Sequence, residues 1–376
     1  MRDAVIVDAV RTPIGKRNGA LADIHPADLS AAVLKSLAER NELDPTIVDD
    51  VIWGCVSQVS EQASNIGRNA VLAAGWPETV PATSVNRACG SSQQAVSFAA
   101  AGVIAGQYEF AIAGGVESMT RVPMGSAAQG GIAAPDSLLQ RYGVQGFNQG
   151  VGAEMIAEQW GFSRTQLDEF SLRSHELAAA ATAAGAFTDQ LVSVGGLTAD
   201  EGIRTGGTLE KLATLATPFK ENGVISAGNA SQISDGSGAL LITTSENAAA
   251  RGMKPIARIH TAVVAGDDPV IMLTAPIRAT KLALEKSGLS IHDIGAFEVN
   301  EAFAPVPLSW LVETGADAES VNPLGGAIAV GHPLGGSGAI LMTRLVHHMR
   351  AHGIRFGLQT MCEAGGLANA TIVELI

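Results

Sequence analysis

Short apolar runs and amphipathic stretches alternate along the first part of the chain. Residues 3–9 are mostly apolar and predict a buried strand, whereas residues 26–40 place leucine and valine on one helical face. Residues 50–54 predict a second strand, and residues 65–75 predict a helix that ends at Gly75. This alternation is typical of α/β folds with parallel strands.

One strand–turn–helix–strand unit has a cysteine in its turn. The strand-like residues 83–86 lead into Cys89, residues 90–105 predict an alanine-rich helix, and residues 109–114 predict a short apolar strand. Residues 118–148 have no regular pattern and predict a long loop, which is usually functional or part of an interface. Helical patterns return after this loop, at residues 151–160 and 165–184.

The same order of elements starts again after residue 250. Ser320-Val321-Asn322 repeats Ser84-Val85-Asn86, and each triplet is followed by a glycine-containing turn and an alanine-rich helix. Strand and helix patterns alternate in this second part, at residues 255–265, 276–287, 295–299 and 303–314. We interpret this as an internal repeat that divides the chain into two similar α/β halves, residues 1–250 and 251–376.

Composition and charge exclude several classes of partner. The net charge of −13 disfavours nucleic acid and anionic membranes, whereas backbone N–H groups could still bind an anionic small ligand. No apolar run is long enough for a transmembrane helix, and no N-terminal signal pattern is present. Three cysteines without CxxC spacing argue against a disulfide framework or a metal site, so we expect a cytoplasmic location.

Cys89 is the leading candidate for a nucleophile. It follows a predicted strand and precedes a predicted helix, where unpaired backbone N–H groups stabilise a thiolate. The alternative is a small buried core residue, which is the usual state of a free cysteine. Cys55, which follows an apolar run, fits that second description.

Two glycine-rich stretches contain candidate acid–base groups. His332 is followed by proline and a run of glycines, which lets a ligand or another segment approach closely. The alternative for His332 is a purely structural turn. Cys362 ends a strand-like run and precedes Gly365 and Gly366, where a thiol could act as an acid or base near an oxyanion hole.

Asn300 follows the predicted strand 295–299, and its amide could hold a water or a carbonyl group. Taken alone, it equally suits a helix N-cap, which is a common place for asparagine. His348 and His352 lie four residues apart on a predicted helix. Because no third ligand is near in sequence, a solvated helix face is the preferred interpretation of that pair.

Together these stretches resemble the thiolase family. The motifs NRACGSS, NEAF, GHPLGGSG and CEAGG contain Cys89, Asn300, His332 and Cys362, occur in the family's order and spacing, and extend the resemblance over nearly the whole chain. It implies a thiolase fold of two similar α/β halves in five αβαβα layers, with a loop domain inserted at about residues 118–235. It also implies an acyltransferase that cleaves 3-ketoacyl-CoA with CoA, or performs the reverse Claisen condensation.

The resemblance assigns a role to each candidate. Cys89 would carry the acyl group, His332 would activate it, and Cys362 would exchange a proton with the acetyl-CoA methyl carbon. Asn300 and His332 would form one oxyanion hole, and the N–H groups of Cys89 and Ala364 the second. CoA is expected as a substrate with no further cofactor or metal, in a homodimer or homotetramer that serves fatty acid β-oxidation. The residues expected to contact substrate or CoA are Gln149, Phe219, Ala227, Ser231, Met272, Ala302 and Phe303.

Two positions depart from the family's pattern. Ala364 replaces the first glycine of the last motif; if that position required a positive φ, the added Cβ would cost on the order of 1 kcal/mol. Asn148-Gln149-Gly150 lies where acetoacetyl-specific members often carry His-Met-Gly. We therefore expect a degradative enzyme that accepts a longer or bulkier acyl group.

Three other functions fit less well. A ketoacyl-synthase-like condensing enzyme would use a cysteine with two histidines, whereas the last motif here offers Cys362. A non-catalytic thiolase-like protein that binds CoA or lipid would be expected to have lost one of the catalytic residues. A hydrolase that uses Cys89 and His332 would need an acid partner for the histidine, and the sequence marks none.

Overall fold

The computed structural model describes residues 2–376, which form ten strands and twelve α-helices. The strands are β1 (Val5–Arg11), β2 (Gly15–Lys16), β3 (Asp50–Gly54), β4 (Ala82–Val85), β5 (Phe110–Ser118), β6 (Ser234–Thr243), β7 (Ala257–Gly266), β8 (Ala296–Val299), β9 (Phe356–Glu363) and β10 (Leu367–Leu375). The helices are α1 (Pro26–Arg40), α2 (Ile66–Ala73), α3 (Ser91–Ala105), α4 (Asp136–Tyr142), α5 (Gln149–Trp160), α6 (Arg164–Ala183), α7 (Leu209–Ala213), α8 (Ser245–Ala250), α9 (Ala275–Ser287), α10 (Pro305–Thr314), α11 (Ala327–Val330) and α12 (Ser337–His352).

The order of the strands shows two matching halves. Within the described residues they form one mixed sheet in the order β4-β3-β5-β6-β1-β7-β10-β9-β8, with β2 paired to β6. The two halves join through a short antiparallel pairing of β1 with β7, at Val5–Arg258 and Ile6–Ala257. Beyond β8, Val321 makes a parallel bridge to Phe297, in the position that β4 takes beside β3. The internal repeat predicted from the sequence is therefore confirmed.

Helices cover both faces of each half-sheet and separate the two halves, which gives the five αβαβα layers. Helices α1 and α2 pack on the outer face of the first half, and α9 and α10 on the outer face of the second. Helices α3 and α12 pack against each other and against strands of both halves. At the start of β1 the side chains alternate, since Val5 and Val7 face the outer core while Ile6 faces the central one. The register shift between Ile6 and Asp8 then reverses the alternation, so that Ala9 faces the central core.

Residues 119–233 connect β5 to β6 and contain α4, α5, α6 and α7. This segment packs on the second half, where α5 contacts α10 and α6 contacts α11. The prediction that residues 118–148 are wholly irregular is wrong at α4, which runs over Asp136–Tyr142 and ends at Gly143 with a φ of +64°. A helix of two turns is too short to produce a recognisable periodicity in the sequence.

Candidate active site

The structure brings Asn300, His332 and Cys362 together at the ends of neighbouring elements. β8 and β9 are parallel neighbours, so the residue that follows β8 lies beside the end of β9. The Asn300 N–H donates to the Thr360 carbonyl at 3.1 Å, two residues before Cys362. His332 lies between α11 and α12, with Nε2 3.5 Å from Asn300 Nδ2. All three site residues are buried.

Cys89 reaches the same region from the first half of the chain. It precedes α3, follows β4, and is 4% exposed. Its side chain packs in an apolar cluster with Met119, Leu334, Leu341 and Met361. Of these, Met361 adjoins Cys362 in sequence and Leu334 lies two residues after His332. The four residues that the sequence motifs singled out therefore lie together in one region.

Ser337 determines which nitrogen of His332 is available. The hydroxyl of Ser337 donates its single proton to the Pro333 carbonyl at 2.9 Å. Its contact of 2.6 Å with His332 Nδ1 must then be a hydrogen bond that Nδ1–H donates, as assigned from this network. Nε2 consequently keeps its lone pair. Burial lowers the pKa of His332 to about 4, so the ring is neutral at pH 7 and can accept a proton.

Asn300 is not a helix N-cap, so that alternative is wrong. α10 begins at Pro305 and its N-cap residue is Ala304. The Nδ2 group of Asn300 points toward His332, while its buried Oδ1 has no donor among the described residues. A buried amide oxygen without a donor is uncommon in structural positions and suits a group that binds a ligand or water.

Both cysteine thiols of the site are neutral in this environment. Burial raises the pKa of Cys89 above its ordinary value, and Cys362 and Glu363 nearby raise it further. Burial likewise raises the pKa of Cys362 to about 12, against the opposing hydrogen bond from Asn300. The backbone N–H of Cys89, ahead of α3, lowers the pKa in the direction expected from the sequence, but burial outweighs it in the free protein. Cys89 needs a base, and the neutral His332 can serve as one.

Ala364 adopts a conformation that an alanine tolerates. It lies in the turn between β9 and β10, where Gly365 and Gly366 have φ values of +87° and +73°. Ala364 is absent from the residues with positive φ, so the strain considered from the sequence does not arise. Within the described residues, the N–H groups of Ala364 and Cys89 have no backbone acceptor. Both remain available to a ligand.

A cavity of about 850 Å³ opens next to the site. His332 and Leu334 line it, whereas Cys89 and Cys362 do not and are buried among neighbouring side chains. Six of the seven residues expected to contact substrate or CoA line this cavity, namely Gln149, Phe219, Ala227, Ser231, Ala302 and Phe303. Met272 does not line it but is buried against the same cluster as Phe303, Ala302 and Cys362.

Sequence reasoning missed two buried carboxylates that support the site. Glu117 follows no recognised catalytic pattern, yet it accepts hydrogen bonds from Gly335 N–H and from the segment after β3. Glu301 accepts from Ser174 Oγ, Asn322 Nδ2 and Ile328 N–H, and so fixes the segment that begins with Asn300. Both act through contacts that are distant in sequence, and the only available signal was the place of Glu301 inside the NEAF motif.

Two features are absent from residues 2–376. No group of three or more His, Cys, Asp or Glu side chains is placed to hold a metal ion. In the same range, no helix combines the length and apolar character needed to cross a membrane.

Comparisons with known proteins agree with this geometry. The chain matches the family model described as "Thiolase, N-terminal domain" over residues 4–246 and "Thiolase, C-terminal domain" over residues 253–375. It is 49% identical to the "Steroid 3-ketoacyl-CoA thiolase FadA6" of Mycobacterium tuberculosis, across the whole chain and 94% of that protein. It is 43% identical to the "3-ketoacyl-CoA thiolase FadA" of Escherichia coli, with both proteins covered in full. The chain therefore belongs to the thiolase family of acyltransferases.

Proposed function

We propose that this enzyme cleaves 3-ketoacyl-CoA with CoA, through an acyl intermediate on Cys89. The observation that supports this most directly is the convergence of Cys89, His332, Cys362 and Asn300 beside one large cavity. A condensing enzyme would use two histidines beside its cysteine, and Cys362 lies where the second histidine would be expected. A non-catalytic binding protein is less consistent with a neutral, oriented His332.

The reaction divides the work between the two cysteines. His332 Nε2 takes the proton of Cys89, and the sulfur attacks the ketone carbon of the substrate. The bond between the α and β carbons then breaks, leaving the acyl group on Cys89 and an acetyl-CoA enolate. Cys362 protonates that enolate carbon. A second CoA thiol gives its proton to the Cys362 thiolate and attacks the Cys89 thioester. The departing Cys89 thiolate then recovers its proton from His332, which restores the free enzyme.

Two oxyanions form at different places during this reaction, and the site offers hydrogen-bond donors for both. His332, together with a water that donates to Asn300 Oδ1, suits one of them. The N–H groups of Cys89 and Ala364 suit the other, since neither has a backbone acceptor among the described residues. Losing one such donor typically raises the barrier by about 3 kcal/mol.

The cavity suits the pantetheine arm and the phosphates of CoA. Phe219 and Phe303 pack edge to face, with ring centroids 6.1 Å apart, and give an apolar wall beside Ala227 and Ser231. Lys16, Arg17 and Arg204 line the same cavity together with Glu201, which pairs with Lys16 at 3.4 Å. An otherwise acidic chain therefore presents a net positive charge there. We place Met272 behind this wall, where it supports Phe303 rather than touching CoA.

The acyl group is proposed to be longer or bulkier than acetoacetyl. The presence of Gln149 in the cavity lining, where short-chain enzymes often have methionine, supports this. The relative from Mycobacterium tuberculosis is named for steroid substrates. A thiolysis assay over a panel of 3-ketoacyl-CoAs tests the proposal through kcat/KM. A clear preference for acetoacetyl-CoA would refute the proposed acyl group.

The nucleophile is tested by mass spectrometry. Incubation with a 3-ketoacyl-CoA that the enzyme cleaves should add the mass of the shortened acyl group to the peptide that contains Cys89. The Cys89→Ala variant should show no adduct on any peptide. An adduct on Cys55 or Cys362 in the wild-type enzyme would instead mean that the assigned nucleophile is wrong.

We also propose a cellular location, a metabolic direction and an assembly for the enzyme. We place it in the cytoplasm, in the degradative direction of fatty acid β-oxidation, with CoA as a substrate and no other cofactor. We also propose a homodimer or homotetramer, because β4 leaves one sheet edge open and partly exposed. Multi-angle light scattering on the purified enzyme measures the assembly, and a monomer at micromolar concentration would contradict it.

A further inference from the structure

Glu363 is a buried carboxyl group that the reaction as described does not use. It is the last residue of β9 and follows Cys362. Its side chain has no exposed surface, and neither Oε1 nor Oε2 has a hydrogen-bond partner among the described residues. Asn369, which lies on the same face of the β9–β10 hairpin, also has its Oδ1 without a donor.

The carboxyl group packs against the backbone next to Cys89. A Cβ added to Gly90 would overlap Glu363 Oε1, so the absence of a side chain at Gly90 is what makes room for the carboxyl group. Asn369 Nδ2 donates to the Gly90 carbonyl at 3.1 Å and holds this backbone against the hairpin. Glu363 therefore lies under the turn that presents Cys89.

The groups that face Glu363 do not neutralise its charge. Arg87, ahead of α3, is the cation whose charge favours ionisation of Glu363, yet the two form no ion pair within 4 Å in the described part of the chain. The other titratable neighbours of Glu363 are the thiols of Cys89, ahead of α3, and of Cys362, the preceding residue of β9. From β10, Glu363 faces the uncharged Leu367 directly and the neutral Asn369 diagonally.

Protonation of Glu363 therefore affects the whole site. Burial raises the pKa of Glu363 to about 8, so the carboxyl group is mostly neutral at pH 7. As a neutral acid, it can donate a hydrogen bond to an acceptor such as Asn369 Oδ1. Once ionised, its negative charge raises the pKa of both Cys89 and Cys362 and opposes formation of either thiolate.

We propose that Glu363 is a positioning residue whose protonation state controls the reactivity of the two cysteines. The neutral acid permits a thiolate at Cys89 and an oxyanion at the nearby N–H groups of Cys89 and Ala364. The carboxylate opposes both, and so limits the enzyme at alkaline pH. The catalytic part of this inference rests on the proposed thiolase reaction, whereas the effect on cysteine reactivity does not require it.

The test compares the wild type with Glu363→Gln, which keeps the shape and remains neutral at every pH. The rate of Cys89 alkylation by iodoacetamide is followed by peptide mass spectrometry between pH 6.5 and 9.5, without substrate. The variant and the wild type should react at similar rates at pH 7. At pH 9 the variant should react about tenfold faster, because an adjacent buried charge has been removed.

Thiolysis provides the second readout. The kcat/KM of the wild type should fall above pH 8 relative to Glu363→Gln, while the two agree at pH 7. Glu363→Met serves as a second neutral variant if the glutamine variant folds poorly. Glu374→Gln, which changes a glutamate on β10 that pairs with Arg258 and Arg355, is the matched control and should follow the wild type.

The possible results separate the two proposals. The deciding quantity is the alkylation rate of Glu363→Gln divided by that of the wild type. If this ratio stays constant between pH 6.5 and 9.5, whether near one or uniformly low, Glu363 is merely structural and the inference is overturned. Absence of thiolysis with every 3-ketoacyl-CoA would instead refute the proposed function and leave the alkylation result to decide on Glu363.

Discussion

At the scale of single residues, His332 is set up as a base by one hydroxyl group. Ser337 Oγ accepts a hydrogen bond from Nδ1–H and donates its own O–H to the Pro333 carbonyl, which leaves Nε2 unprotonated. Without this acceptor, either tautomer could form and the ring could rotate. The chemistry of His332 therefore depends on a residue that lies five positions further along the chain, at the start of α12.

We predict that Ser337→Ala lowers kcat for thiolysis by roughly tenfold or more, since a correctly protonated general base contributes about 10²–10⁴ to the rate. KM should change little, because Ser337 does not line the cavity. Thr343→Val is a matched control on the same helix. Its hydroxyl also donates to the carbonyl four residues back, at 2.8 Å, but does not touch His332. Equal losses of kcat in both variants would contradict the role of Ser337.

The sequence predicted which residues meet in the site but not their state of protonation. The motifs around Cys89 and His332 are local, and each follows an element whose position the hydrophobic pattern indicates. The pKa of Cys89 is governed instead by burial among residues from β5, β9 and α12, which are distant in sequence. For the same reason, the sequence could not show that Ala364 avoids a positive φ.

At the scale of elements, Glu117 at the end of β5 connects the His332 loop to the segment after β3. Oε1 accepts from Ser57 N–H at 3.1 Å and Gln62 Nε2 at 2.7 Å. Oε2 accepts from Val56 N–H and Gly335 N–H, both at 2.9 Å. The carboxylate is therefore saturated with donors on both oxygens.

Glu117→Gln should destabilise the protein by about 3 kcal/mol, because either orientation of the amide places an NH₂ group against two N–H donors. The melting temperature and kcat should fall together, since Gly335 follows His332 closely. Glu109→Gln, just before the same strand, removes an exposed partner of Arg2 and should leave both quantities nearly unchanged. If Glu117→Gln melted like the wild type, the connecting role would be excluded.

Close packing of β3 on the first turn of α3 fixes the position of Cys89. A Cβ at Gly54 would overlap the backbone of Ser91 and Ser92. Gly54→Ala should therefore shift this turn and reduce kcat/KM by at least about tenfold, with an overpacking cost of about 1–3 kcal/mol. Gly146→Ala is the control, since a Cβ there meets no atom within 4 Å. Normal activity of Gly54→Ala would show that α3 adjusts without moving Cys89.

Most elements follow the hydrophobic pattern, and the exceptions have local causes. α1 occupies the predicted residues 26–40, and β3 the predicted residues 50–54. β5 continues to Ser118, beyond the predicted end at residue 114. The prediction stopped early because Gly114 and Gly115 have no side chain that would show the alternation of a strand. Their small size has its own reason, as a Cβ at Gly115 would overlap the Gly335 carbonyl of the His332 loop.

At the scale of the whole molecule, the internal repeat explains why the site lies where it does. Cys89 follows β4 in the first half, whereas Asn300 follows β8 in the second. α3 and α12 pack against each other between the halves, and each follows a segment that holds a catalytic candidate. The sequence predicted two halves. The number of residues between their motifs did not show how the two halves are oriented toward each other.

One buried cluster joins the first half, the inserted segment and the second half. Arg11 at the end of β1 pairs with Asp200 at 2.7 Å, and both side chains are fully buried. The Phe187 ring lies between Arg11 and Arg344 of α12, whose guanidinium carbons are 5.1 and 5.2 Å from the ring centroid. Gln190 accepts from Arg11 Nε at 2.7 Å. These contacts tie the segment that lines the cavity to both halves.

Asp200→Asn should lower stability by about 3–5 kcal/mol, because it leaves the Arg11 guanidinium buried without its counter-ion. The melting temperature should fall sharply, and limited proteolysis should cut the segment between β5 and β6 first. The double variant Arg11→Met with Asp200→Leu should recover much of the loss, since it removes both charges. Glu158→Gln breaks the exposed pair with Lys220 and should leave melting and cleavage unchanged. If the single and double variants melted alike, the cost would come from lost packing at this junction and not from an unpaired charge.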